Sequence, residues 1–171
     1  ISNNNFGADL IEIGEPQKAL SFLRKSASLD PLFSEAFYNL GIAEYKATNS
    51  QTGIGFFKKA ILLTPSKIDS FFNLANCFAR SKKHSQAIKF YRLCLTIDPN
   101  YYKAQAQCIV QKAKVCDWSG WDDVEHLRFL SKIDSDSVAP FEMLSFEDNP
   151  IRHRTRSEEY VNSKILTQLP I

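Results

Sequence analysis

Asn39 lies in "FYNLG" (residues 37–41) and Asn73 in "FFNLA" (residues 71–75), and one further step of 34 residues in either direction reaches Asn5 and Gln107. An amide side chain carries N–H donors and a carbonyl acceptor, so a column of four can hydrogen-bond the backbone of an extended polypeptide whatever its sequence. Each such bond contributes about 0.5–1.5 kcal/mol net, which makes a ladder of them weak and sequence-tolerant. Asparagine is a mediocre helix former. Its recurrence inside apolar stretches therefore calls for either that use or a bond that serves the scaffold, and both readings stand on the sequence.

The elements that must position this column follow from the same period. Pro31, Pro65 and Pro99 are also 34 apart, in "SLDPLFSEA", "LLTPSKIDS" and "TIDPNYYKA". With Ser34 as column one, column seven is Phe6, Leu40, Leu74 and Cys108, and column eight is Gly7, Gly41 and Ala75. Column twenty is small (Ala19, Gly53, Ala87) and column twenty-four bulky (Leu23, Phe57, Tyr91). Such a unit predicts two helices joined by a short turn, "ATNSQ" or "SKKHS", the second helix ended by its proline. Successive helix residues turn by roughly 100°, so columns four, seven, eight and eleven share one face. Column six points nearly opposite, away from that apolar stripe.

These columns resemble the tetratricopeptide repeat, a pair of antiparallel helices with this alternation of large and small residues. The resemblance implies an all-α helix-turn-helix solenoid of three and a half repeats, with units near 1–33, 34–67 and 68–101 and a partial unit over 102–115. In that family the first helix of each unit lines a concave groove. Asn5, Asn39, Asn73 and Gln107 would then face an extended polypeptide or protein client. Neighbouring first helices lie about 10 Å apart and an extended chain advances about 3.4 Å per residue, so one rung would hold the peptide about every third residue. Columns two, nine and thirteen add Glu35, Lys46, Asp69, Asn76, Arg80, Lys103 and Lys114 as flanking groove candidates of mixed sign. The family's clamp for the carboxylate of chaperone tails needs basic residues at columns five, two and six of successive units. Asn4, Asp69 and Asn73 stand there, so that clamp is missing.

The fourth unit breaks at "CDWSGW", residues 116–121: Trp121 takes the small column twenty, and Ile133 the proline column. Residues 116–171 are accordingly expected to form an irregular helical cap. A helix is expected over "SGWDDVEHLRFLSKI", a polar loop at "DSDSV", a short buried "PFEML" and a last helix with Pro150 near its first turn. Cys116, Asp117, Trp118, Trp121, Pro140, Met143 and Leu144 resemble the linker of protein O-linked N-acetylglucosamine transferases and their SPINDLY relatives. That resemblance implies the substrate-docking region of a glycosyltransferase, with the repeat amides binding substrate polypeptide. Phe141 replaces the histidine of the animal enzymes, and neither a Gly-rich phosphate loop nor βα alternation is present. No catalytic residue and no cofactor is therefore expected in this chain. A nucleotide sugar such as UDP-GlcNAc would bind catalytic lobes outside it, and a stand-alone adaptor is the alternative.

Composition sets the remaining bounds. The chain has 171 residues, 44% hydrophobic and 23% charged, enough to bury a continuous core. A net charge of +2 is too small to argue for nucleic acid or an anionic membrane surface, and neither is expected as a partner. No apolar run is long enough to span a bilayer and no signal peptide is recognisable. The start at Ile1, already within a first helix, reads as a cut. Cys77, Cys94, Cys108 and Cys116 have the spacing of neither a zinc site nor a redox pair. They read as reduced structural thiols of a cytoplasmic, intracellular protein. His84, His126 and His153 are too scattered for a metal site or a triad, and "RHRTR" (152–156) reads as a solvated helix face.

Overall fold

A computed structural model of the chain describes residues 2–47, 50–117, 119 and 150–161. All regular structure among these residues is helical: α1 (Ser2–Glu12), α2 (Pro16–Leu29), α3 (Ser34–Ala47), α4 (Ser50–Leu63), α5 (Ile68–Arg80), α6 (His84–Ile97), α7 (Tyr102–Lys114) and α8 (Pro150–Tyr160). The all-α helix-turn-helix architecture expected from the period is thus present. Helices α3, α5 and α7 open at Ser34, Ile68 and Tyr102, the interval read from the sequence. The helix, loop and buried segment expected between Gly120 and Asn149 lie outside the described residues, as do Trp118, Trp121 and Phe141.

The chain divides into two compact units, Ile1–Pro99 and Asn100–Ile171. In the first, each helix from α1 to α6 packs on its chain neighbours, and the first helix α3 also touches the first helices α1 and α5 on either side. Its interior is built from the periodic columns. Leu10, Ile11, Ala19, Leu20, Leu23, Leu40 and Ala43 form one buried cluster, and Phe57, Leu74, Ala75, Ala87 and Tyr91 are buried as well. The pairing of columns eight and twenty-four explains the small residues. A Cβ on Gly7 would sit 2.6 Å from the Leu23 side chain, and one on Gly41 2.6 Å from the Phe57 ring. Burial of such side chains stabilises by about 1.5–3 kcal/mol each, and close approach of the paired helices is the condition for it. In the second unit, α7 buries Ala104, Ala106, Cys108 and Val110, and Pro150 opens α8 where its missing N–H is no loss.

One turn geometry recurs between the helices of a pair. Gly14, Lys82 and Cys116, all at column fifteen, have φ of +84°, +58° and +55°. In each, the next residue's N–H reaches back five residues: Glu15 to Leu10 O (2.8 Å), Lys83 to Phe78 O (2.9 Å) and Asp117 to Lys112 O (3.0 Å). The column-fifteen N–H itself bonds three residues back, to Ile11 O, Ala79 O and Ala113 O. This is the Schellman closure, which satisfies carbonyls that a helix end would otherwise leave open. Its presence at Cys116 shows that the repeat's backbone geometry continues to Asp117, although the column pattern is already failing there.

Candidate functional site

The first helices α1, α3 and α5 are tied side by side by bonds that each span 35 residues. Asn39 Nδ2 donates to Asn4 Oδ1 (3.0 Å), Asn73 Nδ2 to the Tyr38 hydroxyl oxygen (3.2 Å), and Arg80 Nη1 to the Tyr45 carbonyl (3.0 Å). Column six thus reaches column five of the preceding unit. The amides consequently differ in setting: Asn5 is exposed, Asn73 and Gln107 are half-buried, and Asn39 is only 7% exposed. Burial of Asn39 and Asn4 is tolerated because each satisfies the other. The bond between them uses one N–H of Asn39, whose amide has a second N–H and a carbonyl oxygen. Gln107 belongs to the second compact unit, on α7.

Around Tyr38 lies a charged cluster. The Lys67 ammonium sits 3.7 Å above the centre of the Tyr38 ring and forms an ion pair with Glu35. Burial, reinforced by the Asp69 and Glu35 carboxylates, pushes the Tyr38 phenol up to about 12, and the bond from Asn73 partly opposes this. The hydroxyl therefore stays protonated at neutral pH and keeps a donor while it accepts from Asn73. Of the flanking candidates, Asn76 accepts a 2.6 Å bond from the Tyr91 hydroxyl, which commits its carbonyl to the partner helix α6. Lys46 and Arg80 are exposed in the last turns of α3 and α5. The Arg80 guanidinium lies 4.9 Å from the centre of the Tyr45 ring.

Comparison with known proteins agrees with the fold. The tetratricopeptide-repeat model matches residues 68–101. No curated protein matches the sequence. Among solved structures, a crystal structure of MamA superposes with a TM-score of 0.68 at 24% identity, covering 76% of this chain and 73% of that one. YrrB, described as a tetratricopeptide-repeat protein with an unusual peptide-binding site, gives 0.64 at 17% identity over 96% of this chain and 86% of its own. A mutant O-GlcNAc transferase from Thermobaculum terrenum gives 0.62 at 18% identity, over 86% of this chain but 26% of the enzyme. The fold is a tetratricopeptide-repeat solenoid. No helix among the described residues is long and apolar enough to cross a membrane.

Within this tetratricopeptide-repeat scaffold, several site residues escaped the column reading. Tyr38, Tyr45 and Lys67 occupy places where the repeat has no fixed residue type, and only the stacking of one unit on the next brings them together. Glu44 is different. It is buried, at 5% exposure, and accepts bonds from Arg24 Nη2 (2.9 Å) and Thr52 Oγ1 (3.0 Å). In the complete units before and after, its column eleven holds Leu10 and Phe78, both buried, while the partial fourth unit has Lys112 there. A carboxylate in an apolar column was the available signal, with Arg24 as a partner of matching charge.

Proposed function

We propose that the face formed by α1, α3 and α5 binds an extended polypeptide segment of a client protein. The observation behind this reading is the register of the three helices. Bonds at a constant 35-residue offset hold them as one surface that repeats from unit to unit, as an extended backbone repeats along its length. Asn5 and Asn73 offer amides at that surface, Tyr38 a hydroxyl, and Lys46 and Arg80 the flanking charges. Asn39 and Asn76 act chiefly by holding their neighbours in place. That YrrB, of similar fold, has a peptide-binding site supports the reading. The four cysteines, all free, suit a reducing cytoplasmic compartment. The test is titration of fluorescent extended peptides with the protein and with a variant carrying Asn5→Ala and Asn73→Ala. Affinity is expected to fall about tenfold while the melting temperature drops by only about 4 °C or less. Absence of binding by any peptide would overturn the reading.

A second reading places this face in a protein O-glycosyltransferase, as its substrate-docking arm. The likeness to the Thermobaculum terrenum enzyme favours it, together with Cys116 and Asp117 of the linker-like tail. The chain spans about a quarter of that enzyme's length, so sugar transfer and nucleotide-sugar binding would reside in lobes outside residues 1–171. A stand-alone adaptor uses the same face without them. Sequencing the gene beyond the codon for Ile171 separates the two: an open frame encoding βα-alternating lobes supports the docking arm, and a stop codon leaves the adaptor.

A further inference from the structure

The two ends of α3 and α5 carry opposite charge, whereas α1 ends on the exposed Glu12. Glu35 and Asp69 stand in the first turns of α3 and α5, and Lys46 and Arg80 in their last turns. Eleven residues separate the two ends, which at 1.5 Å per residue is about 16 Å. The negative end is partly neutralised, because Lys67 is paired with Glu35. The positive end is reinforced by Lys82 and Lys83, both exposed in the turn after α5.

Arg80 is the ordered member of the positive end. Its guanidinium is exposed, yet one N–H is fixed on the Tyr45 carbonyl at 3.0 Å and the plane is held over the Tyr45 ring at 4.9 Å. That anchoring uses one of five N–H donors. A long side chain held this way has already lost much of the rotamer freedom that binding would otherwise remove. Lys46 follows Tyr45 directly in the chain, so a second cation extends the same edge.

We infer that the edge formed by Lys46 and the Tyr45-anchored Arg80 recognises carboxylate side chains on one side of an extended acidic polypeptide. The inference rests on the groove reading above and adds the client's chemistry to it. Alternate residues of an extended chain point to opposite sides, so acidic residues two apart face this edge together while the backbone lies over the middle of α3 and α5. The cations stand at column thirteen, away from the columns five, two and six of the chaperone-tail clamp. The edge therefore asks for internal acidic side chains and places no demand on a chain terminus.

The test uses three short labelled peptides, alternating Glu-Ser, Gln-Ser and Lys-Ser, blocked at both ends, in anisotropy titrations with the full chain. The Glu-Ser peptide is expected to bind about fivefold tighter than Gln-Ser at low salt, and the ratio to shrink as salt rises. R80Q and K46Q, each checked for an unchanged circular dichroism spectrum, are expected to bring that ratio towards one. R80K, which keeps the charge without the planar fork, is expected to lower it partway. Equal binding of Glu-Ser and Gln-Ser, a preference for Lys-Ser, or a preference that survives both R80Q and K46Q would overturn the acidic-client inference and leave the groove reading standing. Failure of all three peptides to bind would remove both.

Discussion

At the scale of single residues, one column of amides occupies two different settings. Asn39 is buried and bonded to the buried Asn4, so Asn39→Ala strips a partner from an oxygen that water reaches poorly. The expected loss is about 1–3 kcal/mol, read as a lower urea midpoint with an unchanged slope. Asn5→Ala, at an exposed position one unit earlier, should leave the midpoint nearly unmoved; equal losses at the two sites would refute the distinction. Tyr38 supplies a second prediction at this scale. Its phenol is raised to about 12 in the folded protein, against about 10 in an unfolded chain. The folded state therefore holds the proton more tightly. That stabilisation is complete below about pH 10 and is lost as pH rises towards about 12. Ultraviolet titration of the phenolate band should include a late contribution from one tyrosine that is missing in Tyr38→Phe. Its persistence in that variant would assign the late step elsewhere.

At the scale of the element, the turn within each helix pair decides more than its composition suggests. Column fifteen adopts positive φ at Gly14, Lys82 and Cys116, and only glycine does so without steric cost. Lys82→Gly should relieve that cost. Glycine's greater freedom in the unfolded chain offsets part of the benefit, leaving a gain of up to about 1 kcal/mol in urea unfolding; a clear loss would show that the Lys82 side chain supports the turn. Much of the element level was legible in the sequence. The Gly7/Leu23 and Gly41/Phe57 pairs follow from the alternation of small and bulky columns, and the helix starts follow from the proline period. The turn conformation was hidden because Gly, Lys and Cys share no side-chain property. Burial of Asn39 was hidden because a helical wheel compares a first helix with its own partner, whereas α3 also lies against α1. A position that points away from α4 can still point at a neighbour. Glu44 left a signal, a carboxylate where Leu10 and Phe78 stand in other units, but its partners did not show: its charge is compensated by Arg24 and Thr52, on α2 and α4, the helices flanking α3.

At the scale of the whole molecule, a stack of repeats is stabilised by contacts between neighbours, and the cysteines are placed to report how it opens. Cys77 and Cys94 are fully buried, and burial pushes both thiols up to about 12. A thiol that keeps its proton at neutral pH is a poor nucleophile, and here it is also out of reach. Cys108 is buried in the second compact unit, while Cys116 is exposed. Native protein treated with iodoacetamide at neutral pH should therefore gain one adduct by intact mass, mapped to Cys116, and all four cysteines should react in strong denaturant. Between these limits, Cys77 on α5 and Cys94 on α6 should lose protection at the same urea concentration. Cys94 Sγ lies 3.9 Å from the Ile68 carbonyl oxygen of α5, so the two helices cannot separate without exposing both thiols. Separate urea midpoints for Cys77 and Cys94 would show that α5 and α6 do not open as one packed pair, and the surface that α5 shares with α3 would then have to be understood helix by helix.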